Sequence, residues 1–168
     1  MIILRYFNKE GDGHQGSKIS KVIILGCGTK LFTTGFSKLS ERQIALWDLN
    51  DLSKPIQMEI VDCSSGVLVP FYDHDTKIVY VAGKGDGNIR YYEITDTDPF
   101  IHYLSEYKSS TPQRGLGVMP KRGLDVTKNE IFRFYKLHTT GNLCEPVSMV
   151  VPRKVSQSKD VLVLVVIL

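Results

Sequence analysis

From Lys21 to Val151 the chain is written as short runs of β-branched and aromatic residues, separated by turns rich in Gly, Asp, Asn, Ser and Pro. Within several runs apolar and polar positions alternate, as in Ile56-Gln57-Met58-Glu59-Ile60. A period of two belongs to half-buried strands, and no stretch shows a sustained helical period. The pattern predicts strands over 21–26, 31–36, 43–49 and 56–60, and again over 66–72, 77–82, 89–94 and 100–104. A third round is predicted over 115–120, 122–126, 130–137 and 146–151. The preceding Lys9-Glu10-Gly11-Asp12-Gly13-His14-Gln15-Gly16 is too glycine-rich for regular structure and is expected to be a loop.

The stretch from Gly83 to Ile94 decides between two readings. Gly83, Gly85 and Gly87 could cradle a phosphate, but such a loop needs a helix N-terminus behind it. The residues after Gly87 are Asn88 and then Ile89-Arg90-Tyr91-Tyr92-Glu93-Ile94, which is strand-like. Asp86-Gly87 is therefore expected to be the turn of a β-hairpin.

Twelve strands in three groups of four imply an internal repeat. Trp47 and Tyr92 hold the aromatic position of the third strand in the first two groups, and Tyr135 is expected to hold it in the last; the spacings are 45 and 43 residues. A period of about 40–45 with four strands per unit is the signature of a WD-repeat β-propeller. Trp47-Asp48 is the signature dipeptide, Tyr92-Glu93 a chemically similar pair, and Tyr135-Lys136 has lost the acid. The expected fold is all-β, about three four-stranded blades over 18–61, 65–106 and 114–152, within a partial propeller domain of residues 1–154. Propellers close with about 4–8 blades, so an incomplete propeller is expected.

Composition narrows the function classes. The 168 residues are 42% hydrophobic and 23% charged, ordinary for a globular protein. A net charge of +3, from 21 basic and 18 acidic residues, is too mild and too evenly spread to point to nucleic acid. Cys27, Cys63 and Cys144 form no Cys-x-x-Cys pair and are expected to be reduced thiols packed among strands. The apolar run from Val161 to Leu168 has 8 residues, whereas a spanning helix needs about 20, so no membrane span is expected. The residues ahead of it are polar, and 155–168 is set apart as an apolar tail.

The side chains hold no clustered nucleophile, base or ligand set, so neither an enzyme nor a cofactor nor a metal is expected. Asp73-His74-Asp75 has metal-compatible ligand types, but neighbours in one turn rarely converge on an ion, and a turn is the simpler role. His102 and His138 are expected to be packed or solvated strand residues. His14 is a candidate for a structural network with a strand hydroxyl, Thr33 or Thr34, and the indole of Trp47. With Thr34 taken as that hydroxyl, the expected blade signature comprises His14, Thr34, Trp47, Asp48, Asp86, Tyr92, Glu93 and Tyr135.

Longer motifs carry a family resemblance. Phe32-Thr33-Thr34-Gly35-Phe36-Ser37, Ser40-Glu41-Arg42-Gln43-Ile44-Ala45-Leu46-Trp47, Pro70-Phe71-Tyr72-Asp73, Gly83-Lys84-Gly85-Asp86, Ile89-Arg90-Tyr91-Tyr92-Glu93-Ile94 and Pro120-Lys121-Arg122-Gly123-Leu124-Asp125-Val126 stand in that order. Over residues 14–154 the chain resembles the C-terminal blades of the coronin propeller. The resemblance implies a non-enzymatic, cytoplasmic regulator bound to actin filaments in the cytoskeleton, and through the family the branch-nucleating actin-related-protein complex as a further partner. The tail after Lys154 departs from the family pattern, as does the lack of the first blades and of the oligomerising coiled coil.

Binding is then expected from exposed cations on loops or blade edges: Lys38, Arg42, Lys84, Lys121, Arg122, Arg153 and Lys154. Such charges could steer association with an acidic filament. The alternative is a general WD-repeat scaffold for vesicle-traffic or signalling complexes that does not touch actin. Open blade faces and edges are also expected to favour self-association or aggregation.

Overall fold

The computed structural model describes residues 2–4, 9–26, 28–151 and 165–167. A ribbon of β1 (Ile2–Leu4) and β2 (Lys9–Gly11) comes first, so part of the expected glycine-rich loop is paired strand. Beyond it, the described residues form three four-stranded antiparallel sheets. The first holds β3 (Lys21–Leu25), β4 (Lys30–Phe36), β5 (Arg42–Asp48) and β6 (Gln57–Asp62) in chain order. The second holds β7 (Leu68–Asp73), β8 (Ile78–Gly83), β9 (Asn88–Ile94) and β10 (Ile101–Lys108), again in chain order. The third holds β11 (Gln113–Val118), β12 (Glu130–His138), β13 (Cys144–Val150) and β14 (Val165–Ile167).

The chain divides into two compact units, one of Met1–Lys84 with Asn88–Glu106 and one of Gly85–Gly87 with Tyr107–Leu168. Strand parity explains the core of the first unit. On β4 and β5, Phe32 pairs with Leu46 and Thr34 with Ile44, so these side chains share one face. Phe32, Ile44 and Leu46 meet Leu68, Val79, Val81, Tyr92 and Ile94 from the second sheet, all nearly inaccessible. Each such side chain contributes roughly 2 kcal/mol by leaving water. The opposite face of the first sheet carries Leu31, Ala45 and Trp47, covered by Leu52. On β3, Val22 and Ile24 of that face remain 54% and 56% exposed.

Polar groups tie the two sheets of this unit together. Thr34 Oγ1 donates to the carbonyl of Leu68 at 2.8 Å. Gln57 Oε1 accepts the backbone N–H groups of Phe100 and Ile101. Buried backbone donors at a strand start are costly when unpaired, so Gln57 fixes where β10 begins.

The second unit departs from the sequence pattern at one strand. Residues 122–126 form no strand; Lys121–Gly123 and Val126–Lys128 are short 3-10 turns. Asp125 accepts from Thr127 N, and Asn129 closes the second turn in the left-handed region at φ 57°. Local side-chain bonds of this kind outcompete a strand ladder. As a result β12 is second in its sheet, and Tyr135 stands on a second strand rather than the expected third. The fourth place is filled by β14, in register Ser148↔Ile167, Met149↔Val166 and Val150↔Val165. Residues 155–164 and 168 of the apolar tail lie outside the described residues.

Candidate protein-binding surface

A chain of polar side chains organises the outer face of the first sheet. Trp47 Nε1 donates to Thr33 Oγ1 at 2.8 Å, and His14 Nε2 lies 2.9 Å from the same hydroxyl. His14 Nδ1 is 3.2 Å from Gln43 Oε1. The chain closes without an orphan when His14 carries its proton on Nδ1 and accepts the Thr33 proton at Nε2. Burial lowers the His14 pKa, against the bonds to Gln43 and Thr33, and so favours that neutral ring. Gly35 makes the space, since a Cβ there would stand 2.3 Å from the imidazole. The hydroxyl in this set is Thr33, and the expected Thr34 instead bridges to the second sheet. Parity decides it: Thr33 pairs with Ala45 and faces the Trp47 side, Thr34 pairs with Ile44 and faces away.

The remaining signature residues are turn and core groups. Asp48 Oδ1 accepts from Asn50 N and ends its strand. Tyr92, 4% exposed, holds on β9 the third-strand place that Trp47 holds on β5, with Glu93 exposed beside it. In the second unit, the Asp86 carbonyl accepts from Gln113 N. Tyr135 is half-buried, while the neighbouring Lys136 is fully buried with its ammonium 5.5 Å from the Tyr107 ring centre. Burial lowers the Lys136 pKa. Asp73 serves its own turn, accepting from Asp75 N and Thr76 Oγ1. His74 packs edge-on to Tyr72, His102 is half-buried, and His138 pairs with Glu145 at 2.8 Å. Cys63 and Cys144 are exposed free thiols and not packed, because each sits at a strand end; Cys27 lies outside the described residues.

The expected cations separate into three groups. Arg42 is 1% exposed and unavailable to a partner. Its Nε and Nη2 clasp both Asp62 oxygens at 2.6 Å, and Nη1 reaches the Gly66 carbonyl. Arg90 Nη1 adds a second cation on Asp62 at 2.9 Å, and its Nε approaches Glu106 at 3.6 Å. The Arg42 hydrogen bonds hold the Asp62 pKa down at about 2, against its burial. This contribution to stability is present above the ordinary aspartate range and is lost as pH falls toward about 2. Arg153 and Lys154 lie outside the described residues.

Lys38, Lys84, Lys121 and Arg122 are exposed. Lys38 stands at a hairpin tip fixed by Ser37 Oγ, which accepts from Leu39 N and Glu41 N. Lys84 comes directly after β8, its N–H held by the Val67 carbonyl at 3.1 Å. Among the described candidates, Lys121 and Arg122 are neighbours on one turn. Their turn is closed by Gly123 N to Pro120 O, and Lys121 Nζ donates to the Ile131 carbonyl at 2.9 Å. Glu130, paired with Arg133, accepts Asp125 N and braces the adjoining turn. Val126 stands 74% exposed on that second turn.

Three four-stranded antiparallel sheets with a Trp-hydroxyl-His network define a WD-repeat β-propeller, here an incomplete one. The WD40 domain of Toxoplasma gondii coronin matches with a TM-score of 0.78 and 36% identity, over 84% of this chain and 37% of that one. Human Coronin-2A is 59% identical over 141 residues, covering 84% of this chain and 27% of that protein. Coronin-2B of Xenopus tropicalis is 60% identical over 137 residues, 82% of this chain and 28% of that protein. No family model matches the chain. The chain belongs to the coronin family, corresponding to the C-terminal part of its propeller. It spans between a quarter and a third of the length of these curated relatives. No helix among the described residues is long and apolar enough to cross a membrane.

Proposed function

We propose that this chain is part of a non-enzymatic, cytoplasmic regulator of the actin cytoskeleton that binds actin filaments through propeller turns. The observation that supports this reading is the close likeness to coronins, at 59% identity over most of the chain. The contact is assigned to Lys121 and Arg122, whose paired exposure on a braced turn suits an acidic filament surface. Lys38 and Lys84 add steering charge. Arg42 takes no part, because its charge is spent on Asp62. The branch-nucleating actin-related-protein complex is a second proposed partner, and self-association through the exposed face of the first sheet a third interaction.

Filament co-sedimentation tests the reading. The chain is expected to pellet with filaments, and the double change Lys121→Glu with Arg122→Glu is expected to weaken binding roughly tenfold, about 1.4 kcal/mol. The gap should narrow as salt rises, since exposed charges are screened. Equal pelleting of both proteins removes this turn from the contact. No pelleting of the unaltered chain favours a scaffold that does not touch actin.

A further inference from the structure

A cleft of about 210 Å³ opens within the first unit, where turns of its two sheets converge. Leu25 and Ile94, 2% and 6% exposed, form an apolar floor. Above them stand the ammonium groups of Lys30 and Lys77, one from each sheet, with the Tyr72 hydroxyl held by the Gly26 N–H. Lys30 is largely withdrawn from solvent, its side chain 22% exposed. It donates to Asp96 Oδ1 at 2.7 Å and to the Thr95 carbonyl at 3.4 Å. Lys77 Nζ lies 3.9 Å from the other oxygen of Asp96. Two cations thus share one carboxylate, and that carboxylate sits at the rim, 79% exposed. The nearby Asp73 carboxylate is engaged by its own turn.

Size and chemistry select the ligand. The volume is below that of drug-sized or cofactor sites, roughly 300–1,000 Å³, and suits one side chain. An apolar floor under two ammonium groups fits methylenes capped by an anion. Exposed ion pairs are weak and exchange readily, so Asp96 can leave Lys30 when a better-buried carboxylate arrives.

We propose that this cleft receives a carboxylate on a short aliphatic stem, supplied as a glutamate side chain of a partner segment or as a free dicarboxylate, and that Asp96 is its built-in competitor. The site does not depend on the actin reading. The test tracks backbone amide shifts of the full chain during titration at low salt. The probes are glutarate, a blocked Gly-Glu-Gly peptide and its Gly-Gln-Gly counterpart. Saturable shifts at Thr29, Lys30, Lys77 and Ile94 are expected with the two carboxylates and not with the glutamine peptide. Shifts with the peptide place the site on a protein partner; shifts with glutarate alone assign it to free dicarboxylates. Asp96→Asn is expected to tighten binding several-fold by removing the competitor, and Lys30→Met to abolish it. Absence of saturable shifts, equal response to the glutamine peptide, or an Asp96→Asn protein with unaltered or weaker affinity would overturn the proposal. Because Asp96 is exposed, that variant remains a fair test even where Lys30→Met fails to fold.

Discussion

Thr33 serves two side chains through one oxygen, taking the indole proton of Trp47 and facing the His14 ring. Thr33→Val keeps the shape but leaves the buried Trp47 indole N–H without its acceptor and His14 Nε2 without the hydroxyl, while His14 Nδ1 keeps Gln43, a loss of about 2 kcal/mol. Thr34→Val strands only the Leu68 carbonyl and should cost about 1 kcal/mol. Urea unfolding midpoints of the two variants check the order; a more damaging Thr34 change would contradict the network. The sequence pattern alone leaves Thr33 and Thr34 open and favours Thr34; the hairpin register decides between them. Hairpin register puts Thr33 opposite Ala45, two residues from Trp47, and hence on the tryptophan side. Arg42 is not legible in the sequence either. Its partner Asp62 lies 20 residues on, directly opposite on the neighbouring strand, and nothing local separates a buried guanidinium from an exposed one.

At the scale of elements, the hairpin between β8 and β9 is legible because its turn needs glycine for two different reasons. Gly85 has φ +89° with open space around it, so alanine there meets only backbone strain, about 1 kcal/mol. A Cβ on Gly87 would stand 2.1 Å from the Ser109 carbonyl oxygen, so the backbone must move. Gly87→Ala is expected to cost about 3 kcal/mol and Gly85→Ala about 1. Thermal melts compare them, and equal losses would show that the turn gives way freely. The strand predicted over 122–126 fails for a local reason. Its residues alternate like a strand, but Pro120 supplies no N–H, Asp125 caps Thr127 and Asn129 adopts positive φ. Alternation alone cannot weigh these competing bonds, and the Lys121–Arg122 pair owes its exposure to them.

For the molecule as a whole, the 45-residue interval between Trp47 and Tyr92 marks two comparable sheets, because both aromatics fill the third strand. The interval to Tyr135 is misleading, since β12 holds second place. On the first sheet, Val22 and Ile24 leave a partly open apolar face with Ile19, 65% exposed, nearby. Sedimentation velocity should show concentration-dependent association, reduced by Val22→Lys with Ile24→Lys; a monomer at all concentrations would exclude that face as a contact. The Asp62 cluster has a further consequence during synthesis. Its first clasp, with Arg42, lies wholly within the first sheet, whereas Arg90 emerges from the ribosome later. Gln57 likewise waits for the N–H of Phe100, 43 residues behind it. Because a domain folds as a unit, the Asp62 and Gln57 acceptors on the first sheet are fully satisfied only once the second sheet has been synthesised.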